Sequence, residues 1–116
     1  MNISYREELL PLTPQTLHIL LALAVRPRHG YDIAYWVEQD TGGMIKLATG
    51  TVYGALKRLT AQHLLERVET QEGSGPAGEC YFYGLTADGR WVLEGELQRY
   101  QSAVNLGKER LNHGAH

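Results

Sequence analysis

Apolar residues in the first third of the chain recur at the spacing of helices. Thr13 followed by a proline is a typical helix start, and the segment 14–25 is apolar nearly all round. We therefore predict a central buried helix there, ended by Arg26-Pro27. Helical spacing returns from Tyr31 to Asp40, with an apolar stripe of Ile33, Trp36 and Val37. This second helix is expected to end at Thr41-Gly42-Gly43.

The segment from Thr49 to Leu65 is predicted to be a third helix with one bare, basic face. Its apolar stripe consists of Val52, Leu56 and Leu59. The opposite side carries the small residues Gly50, Gly54 and Ala61 together with Lys57. Tyr53 and Arg58 lie on the flanks of that side. This combination is typical of a helix that enters the DNA major groove. Thr49 is expected to cap this helix. An ordinary amphipathic helix with a solvated face has the same pattern.

The pattern changes from helix to strand after Leu64-Leu65. Residues 67–70 alternate, residues 71–79 are rich in turn formers, and residues 80–85 are aromatic and β-prone. We predict a β-hairpin with a long, flexible tip. Thr86 is then expected to cap a long helix that runs from Ala87 to roughly Leu111.

The last predicted helix has a heptad-like apolar seam. Steps of four and three residues alternate through Leu93, Leu97, Tyr100, Val104, Gly107 and Leu111. Glu94, Glu96, Gln98 and Arg99 lie mostly off the seam. The N-terminal segment is too short to cover it, so we expect a dimer interface with a second copy of the chain. Packing wholly within one monomer is the alternative.

The order of these elements is that of a winged helix-turn-helix. The predicted fold class is α+β, mainly α, with a long C-terminal dimerisation helix. Residues 1–85 would form a winged-helix DNA-binding domain with an N-terminal extension, residues 86–112 the dimerisation helix and residues 113–116 a disordered tail.

Composition fits one small domain with a local DNA-binding face. The chain has 116 residues, 43% of them hydrophobic, and a formal net charge of −2. No acid occurs between Leu9 and Tyr31 or between Thr41 and Leu65, and these stretches hold Arg26, Arg28, His29, Lys46, Lys57 and Arg58. The acids gather in residues 66–79 and 88–96. Charge scatter in a short chain is the alternative explanation.

Cys80 is the only cysteine of the chain, which excludes an internal disulfide and indicates a reducing compartment. It lies in an aromatic run and is expected to be a half-buried apolar residue. The first residues lack the apolar core of a signal peptide, and no apolar run is long enough to span a membrane. We therefore expect a cytoplasmic protein without a membrane partner.

Three strings of residues together resemble the PadR-like family of transcriptional regulators. Pro27–Ile33 (PRHGYDI) resembles the family's P-x-H-G-Y-[DE]-I signature. Gly50–Leu59 (GTVYGALKRL) resembles its recognition helix, and Tyr81–Gly89 (YFYGLTADG) resembles the junction between its wing and last helix. The matches fall in the family's order and cover roughly residues 15–95. The C-terminal helix resembles that of the small subgroup of the family.

The resemblance implies a homodimeric repressor that binds a palindromic operator in double-stranded DNA and releases it when a small molecule binds. Carried over by position, the DNA-binding residues are Thr49, Thr51, Tyr53, Lys57, Arg58, His29, Tyr31 and Lys46. Hydroxyl and basic groups there would mainly contact phosphates and fix the register. For His29 and Tyr31, packing and turn formation are an equal alternative.

The resemblance also implies an effector pocket near the dimer interface, between the helical body and the last helix. Its expected walls are Trp91 and Tyr100 of the last helix, with Tyr5 and Leu9 of the N-terminal segment. Apolar walls with a few hydroxyls suit a small planar aromatic ligand. Trp91 as an ordinary core residue is the alternative.

Two positions depart from the family's pattern. Gly54 follows the tyrosine of the recognition helix, where glycine costs about 1 kcal/mol of helix stability relative to alanine. Glu79 and Cys80 stand where the wing usually has arginine or lysine, and residues 66–79 hold four acids against Arg67. An acidic wing repels phosphate, so DNA binding would depend on the helices alone.

The remaining motifs predict no chemistry. Residues 73–78 match G-x-G-x-x-G by letter, but a strand follows where a dinucleotide site needs a helix. His113, His116 and Cys80 form no ligand cluster, and no nucleophile, base and orienting group can be assembled, so we expect no metal, cofactor or enzyme activity. The open function classes are a ligand-responsive repressor, a winged-helix protein-interaction or dimerisation module, and a small hydrolase using Cys80.

Overall fold

The computed structural model describes residues 9–69 and 81–114. In these ranges the chain forms α1 (Pro14–Ala22), β1 (Arg28–His29), α2 (Gly30–Asp40), α3 (Thr49–Ala61), β2 (Leu65–Val68), β3 (Phe82–Leu85) and α4 (Ala87–Gly114). The strands form one antiparallel sheet in the order β1-β3-β2. The predicted winged helix-turn-helix, mainly helical and with a long C-terminal helix, is confirmed.

Helix α1 is shorter than its apolar pattern predicts. Thr13 caps it as expected, since its hydroxyl accepts a hydrogen bond from the Thr16 N–H at 3.1 Å. The helix ends at Ala22, three residues before the predicted end, and Val25 beyond it is 84% exposed. The Arg28 Nε donates to the Ala22 carbonyl at 2.7 Å and satisfies one of the carbonyl groups that a helix end leaves free.

Helix α2 lies close to its predicted bounds. It is capped by His29, whose ring Nδ1 accepts a hydrogen bond from the Asp32 N–H at 3.2 Å. Ile33 and Val37 are fully buried, as their spacing predicts. Trp36, predicted on the same stripe, is 37% exposed and lies at its edge. The glycine pair 42–43 that follows α2 has φ angles of +60° and +85°, which glycine adopts at little cost.

Helix α3 buries the predicted stripe but begins and ends differently. Its cap is Ala48, without a side-chain hydrogen bond, and Thr49 is the first helical residue, so the prediction of Thr49 as cap is wrong. The helix ends at Ala61 because His63 adopts a left-handed conformation with φ of +64° and turns the chain towards β2. The stripe itself is no more than 1% exposed at Val52, Leu56 and Leu59.

The predicted hairpin is present, and a third strand joins it. β2 starts two residues earlier than predicted, with Leu65 opposite Leu85 and Val68 opposite Phe82. β1 pairs with the other edge of β3, and its two residues are too few for a periodicity signal. The predicted tip of the hairpin, with Glu79 and Cys80, lies outside the described residues.

Helix α4 packs on the body through its first turns only. Thr86 caps it as predicted, its hydroxyl accepting from the Gly89 N–H at 2.9 Å. Leu93 is 3% exposed in the core of its own chain, which corrects its assignment to the dimer interface. From Leu97 to His113 the side chains are exposed apart from the half-buried Gly107. The helix continues to Gly114, two residues into the predicted tail.

A buried charge fixes the segment before α1 against α4. Glu96 is fully buried, and its carboxylate accepts hydrogen bonds from the Leu12 N–H and, at 2.8 Å, from the Arg99 Nε. These donors replace the water that a buried carboxylate loses. The heptad pattern, which puts Glu96 mostly off the seam, gives no sign of this burial. A helix places Glu96 one turn beyond the buried Val92 and therefore on the same side.

Candidate nucleic-acid interface

The outer face of α3 is low and open, as its sequence predicts. A Cβ added at Gly50 or Gly54 would meet nothing within 4 Å. Thr49, Thr51 and Lys57 are exposed around these glycines. A broad, flat partner can therefore approach the helix backbone closely along this face.

Tyr53 joins this face to the start of α2. Its side chain is 39% exposed, and its ring packs edge to face on Tyr31, with centroids 6.4 Å apart and planes at 86°. The Tyr31 ring in turn contacts His29, with centroids 6.3 Å apart. Three residues predicted from two separate strings of the sequence thus lie together at one margin of α3.

His29 has visible structural roles. Its Nδ1 caps α2, and its ring packs edge to face on Phe82 of β3, with centroids 5.6 Å apart and planes at 80°. These contacts support packing and turn formation, which the sequence left open as the alternative role of His29. A DNA contact by His29 stays a prediction.

The basic residues fall into two groups. Lys46 and Lys57 are exposed, and among the described residues no carboxylate pairs with either. Arg58 turns to the other flank of α3, where its Nη2 donates to the Thr16 hydroxyl of α1 at 3.1 Å. It lines a cleft of about 500 Å³ between the two helices. Lys57 is therefore the cation of α3 that faces solvent without a bond to any described residue.

Arg28 belongs to the fold, although the sequence places it in a basic patch. It is 8% exposed, and its Nη1 lies 2.9 Å from a carboxylate oxygen of Asp32. Its guanidinium also lies 5.1 Å from the ring centroid of Trp36. Arg28 and Asp32 are four positions apart, and this spacing is a pattern from which the ion pair could have been predicted.

Among residues 9–69 and 81–114, the side chains predicted for an effector pocket do not converge on one. Trp91 and Tyr100 are 37% and 43% exposed. They stand nine positions apart on one helix, which at about 100° per residue puts them on opposite sides. Leu9 is half-buried against the core, and Tyr5 lies outside the described residues.

An apolar stripe along the projecting part of α4 is not covered by the part of the chain that the structure describes. Leu97 and Tyr100 are 40% and 43% exposed, and Val104 and Leu111 are 48% and 76% exposed. All four belong to the predicted dimer interface. Leaving a large apolar side chain in water forgoes about 1.5–3 kcal/mol relative to burying it.

The described residues contain neither a metal site nor a membrane-spanning helix. Residues 9–69 and 81–114 contain no group of three or more histidine, cysteine or acidic side chains that could hold a metal. In the same part of the chain, no helix combines the length and the apolar character needed to cross a bilayer.

Comparison with known proteins now identifies the family. The model of the transcriptional regulator PadR-like family matches residues 19–95. This range includes α2, α3, all three strands of the sheet and the first turns of α4. The chain belongs to the PadR-like family. That family is described as one of transcriptional regulators.

Solved PadR-family structures share the fold. A PadR family transcription regulator from Clostridium difficile R20291 matches with a TM-score of 0.68 and 25% identity, over 85% of this chain and 99% of that one. Bacillus subtilis PadR, solved in complex with operator DNA, matches with a TM-score of 0.64 and 26% identity, over 75% of this chain and 47% of that one.

One curated relative is longer. An uncharacterised 37.1 kDa protein in transposon TN4556 of Streptomyces fradiae is 40% identical over 78 residues, or 67% of this chain. The chain spans only 20% of the length of that protein. Most of that protein therefore has no counterpart in this chain.

Proposed function

We propose that this PadR-like regulator is a homodimeric repressor that binds a palindromic operator through α3 and leaves it when a small aromatic molecule binds. The observation that carries the proposal is the open glycine face of α3, with Lys57 on it and Tyr53 at its margin. Bacillus subtilis PadR, similar in fold and sequence, was solved with operator DNA, which supports DNA as the partner.

The chemistry of this face suits the major groove. Gly50 and Gly54 let the helix backbone come close to base edges, because no side chain of its own holds them apart. Thr49 and Thr51 lie in the first turn of α3, whose free N–H groups favour a phosphate. Lys57 adds a cation on the same side.

A second copy of the chain would supply the symmetry that a palindrome requires. Two α3 helices must lie about 34–36 Å apart to enter successive major grooves on one side of the duplex. The stripe of Leu97, Tyr100 and Val104 on the projecting helix is the surface we assign to this contact.

The effector half of the proposal depends on the dimer. Since Trp91 and Tyr100 face opposite sides of one helix, a pocket that uses both needs helices from two copies. A ligand held there would act as an inducer only if it prefers one dimer geometry over the other. Tryptophan fluorescence, titrated with planar aromatics in the presence and absence of operator, measures both binding and coupling.

Selection of duplexes from a random pool tests the DNA half. We expect a palindromic consensus whose binding weakens steeply with salt, and Lys57→Ala should reduce the salt slope by about one. Lys108→Ala, an exposed lysine on the far part of α4, is the matched control and should leave the slope unchanged. A pool that yields no enriched sequence would refute operator binding.

One competing function has a specific observation in its favour. The net charge of −2 and the four acids in residues 66–79 favour a winged helix that binds proteins instead of DNA. Binding to duplex DNA that is absent even at low salt would favour this module, whereas salt-dependent binding favours the repressor.

A further inference from the structure

Gly30, the first residue of α2, lies against the ring of Tyr53. A Cβ built on Gly30 would be 2.9 Å from Cζ of that ring, 3.0 Å from its hydroxyl oxygen and 3.1 Å from Cε1. Side-chain carbons essentially never pack at the shortest of these distances. Because the distances to three bonded neighbours are nearly equal, Gly30 lies over the face of the ring at its hydroxyl end and not beside its edge.

Two residues of α2 therefore set the direction of the Tyr53 side chain. Gly30 covers the face of the ring, and Tyr31 meets it edge to face, with planes at 86°. The side chain stays 39% exposed at the margin of the α3 face. Any side chain at position 30 would push the ring away or separate α2 from α3.

We propose that Gly30 is a positioning residue for DNA binding: it holds the Tyr53 ring where its hydroxyl bonds a backbone phosphate beside the recognition helix. This inference rests on the proposed function. A phenol O–H is a suitable donor to a phosphate oxygen, and such contacts fix a protein's register on the duplex. Helix propensity does not explain glycine here, because alanine is the better helix former.

A double-mutant cycle tests the coupling between the two positions. Affinity for a selected operator is measured for the wild type, Gly30→Ala, Tyr53→Ala and the double variant. We expect Gly30→Ala to weaken binding at least tenfold in the presence of Tyr53, and by less than twofold when position 53 is alanine. Equal losses in both backgrounds would overturn the proposal, because Gly30 would then act independently of the ring.

Two further variants separate positioning from folding. Tyr53→Phe keeps the ring over Gly30 and removes the hydroxyl, so it should lose affinity as Tyr53→Ala does while melting like the wild type. Wild-type affinity of Tyr53→Phe would exclude the phosphate bond. Gly95→Ala is the matched control, since a Cβ there meets only Leu10 at an ordinary 3.9 Å. If Gly30→Ala does not fold, the double variant should fold, because the contact is relieved.

A measurement without DNA distinguishes failure of this inference from failure of the proposed function. One Gly30 α-proton points in the Cβ direction, over the ring face, and should resonate upfield of ordinary glycine protons. Tyr53→Leu should return it to the normal range. Absence of the upfield shift overturns the positioning contact itself. A shifted proton in a protein that binds no operator overturns the role in DNA binding and the proposed function together.

Discussion

The carbonyl oxygen of Leu64 occupies the space that a side chain on Gly89 would need. A Cβ built on Gly89 would lie 2.1 Å from that oxygen. The same carbonyl accepts the Thr86 N–H at 3.1 Å, and the Thr86 hydroxyl donates to the carbonyl of His63 at 2.7 Å. The first turn of α4 is thus held directly against the turn that leaves α3.

Gly89→Ala should strongly destabilise the protein. Both sides of the contact are backbone, and the Thr86 bonds hold them together, so neither can yield cheaply. We expect a loss of about 3 kcal/mol in the free energy of unfolding, at the upper end for an overpacked site. Urea unfolding followed by circular dichroism measures it. Gly95→Ala is the control, and equal midpoints for the two variants would contradict the prediction.

Glu96→Ala should also lower stability, through the segment that precedes α1. The substitution leaves the Leu12 N–H without its acceptor, and an unsatisfied buried donor costs about 1–3 kcal/mol. Arg99 is more than half exposed and can return to water, so its lost bond adds little. Glu94→Ala, two positions earlier on the exposed side, should leave the urea midpoint unchanged. A Glu96→Ala midpoint equal to that of Glu94→Ala would show that the bond contributes no stability.

Local pattern was sufficient for some elements and insufficient for others. The α3 stripe and the Thr86 cap follow from residues within one helical turn of each other, so the sequence predicts them correctly. The burial of Glu96 depends on Leu12, 84 positions away, and Arg28 bonds the carbonyl that ends α1. The fit of Gly30 under Tyr53 likewise joins two helices. Such contacts arise from tertiary packing, which periodicity along one segment does not contain.

Gly54→Ala should separate stability from function. Nothing lies within 4 Å of the added Cβ in the free protein, so alanine should stabilise α3 by about 1 kcal/mol through its helix propensity. If this face enters the major groove, the same methyl group meets DNA and weakens operator binding. Thermal unfolding and fluorescence anisotropy on one preparation give both values. A variant that is more stable and binds with unchanged affinity would show that DNA does not approach Gly54.

The exposed stripe of α4 yields a test of the dimer with a closely matched control. Leu97 and Leu106 are 40% and 45% exposed on the same helix. They stand nine positions apart, which places them on opposite sides at about 100° per residue. Leu97 belongs to the stripe with Tyr100 and Val104, whereas Leu106 does not.

Leu97→Glu should therefore convert the dimer to a monomer at micromolar concentration, because a charge buried in an apolar contact loses its hydration without gaining a partner. Leu106→Glu adds the same charge to the same helix and should leave the dimer intact. Sedimentation equilibrium measures both variants, and circular dichroism checks that each keeps its helix content. Dissociation by Leu106→Glu alone would move the interface to the other side of α4. A wild type that is monomeric at these concentrations would refute the dimer altogether, and with it the paired recognition helices that a palindromic operator requires.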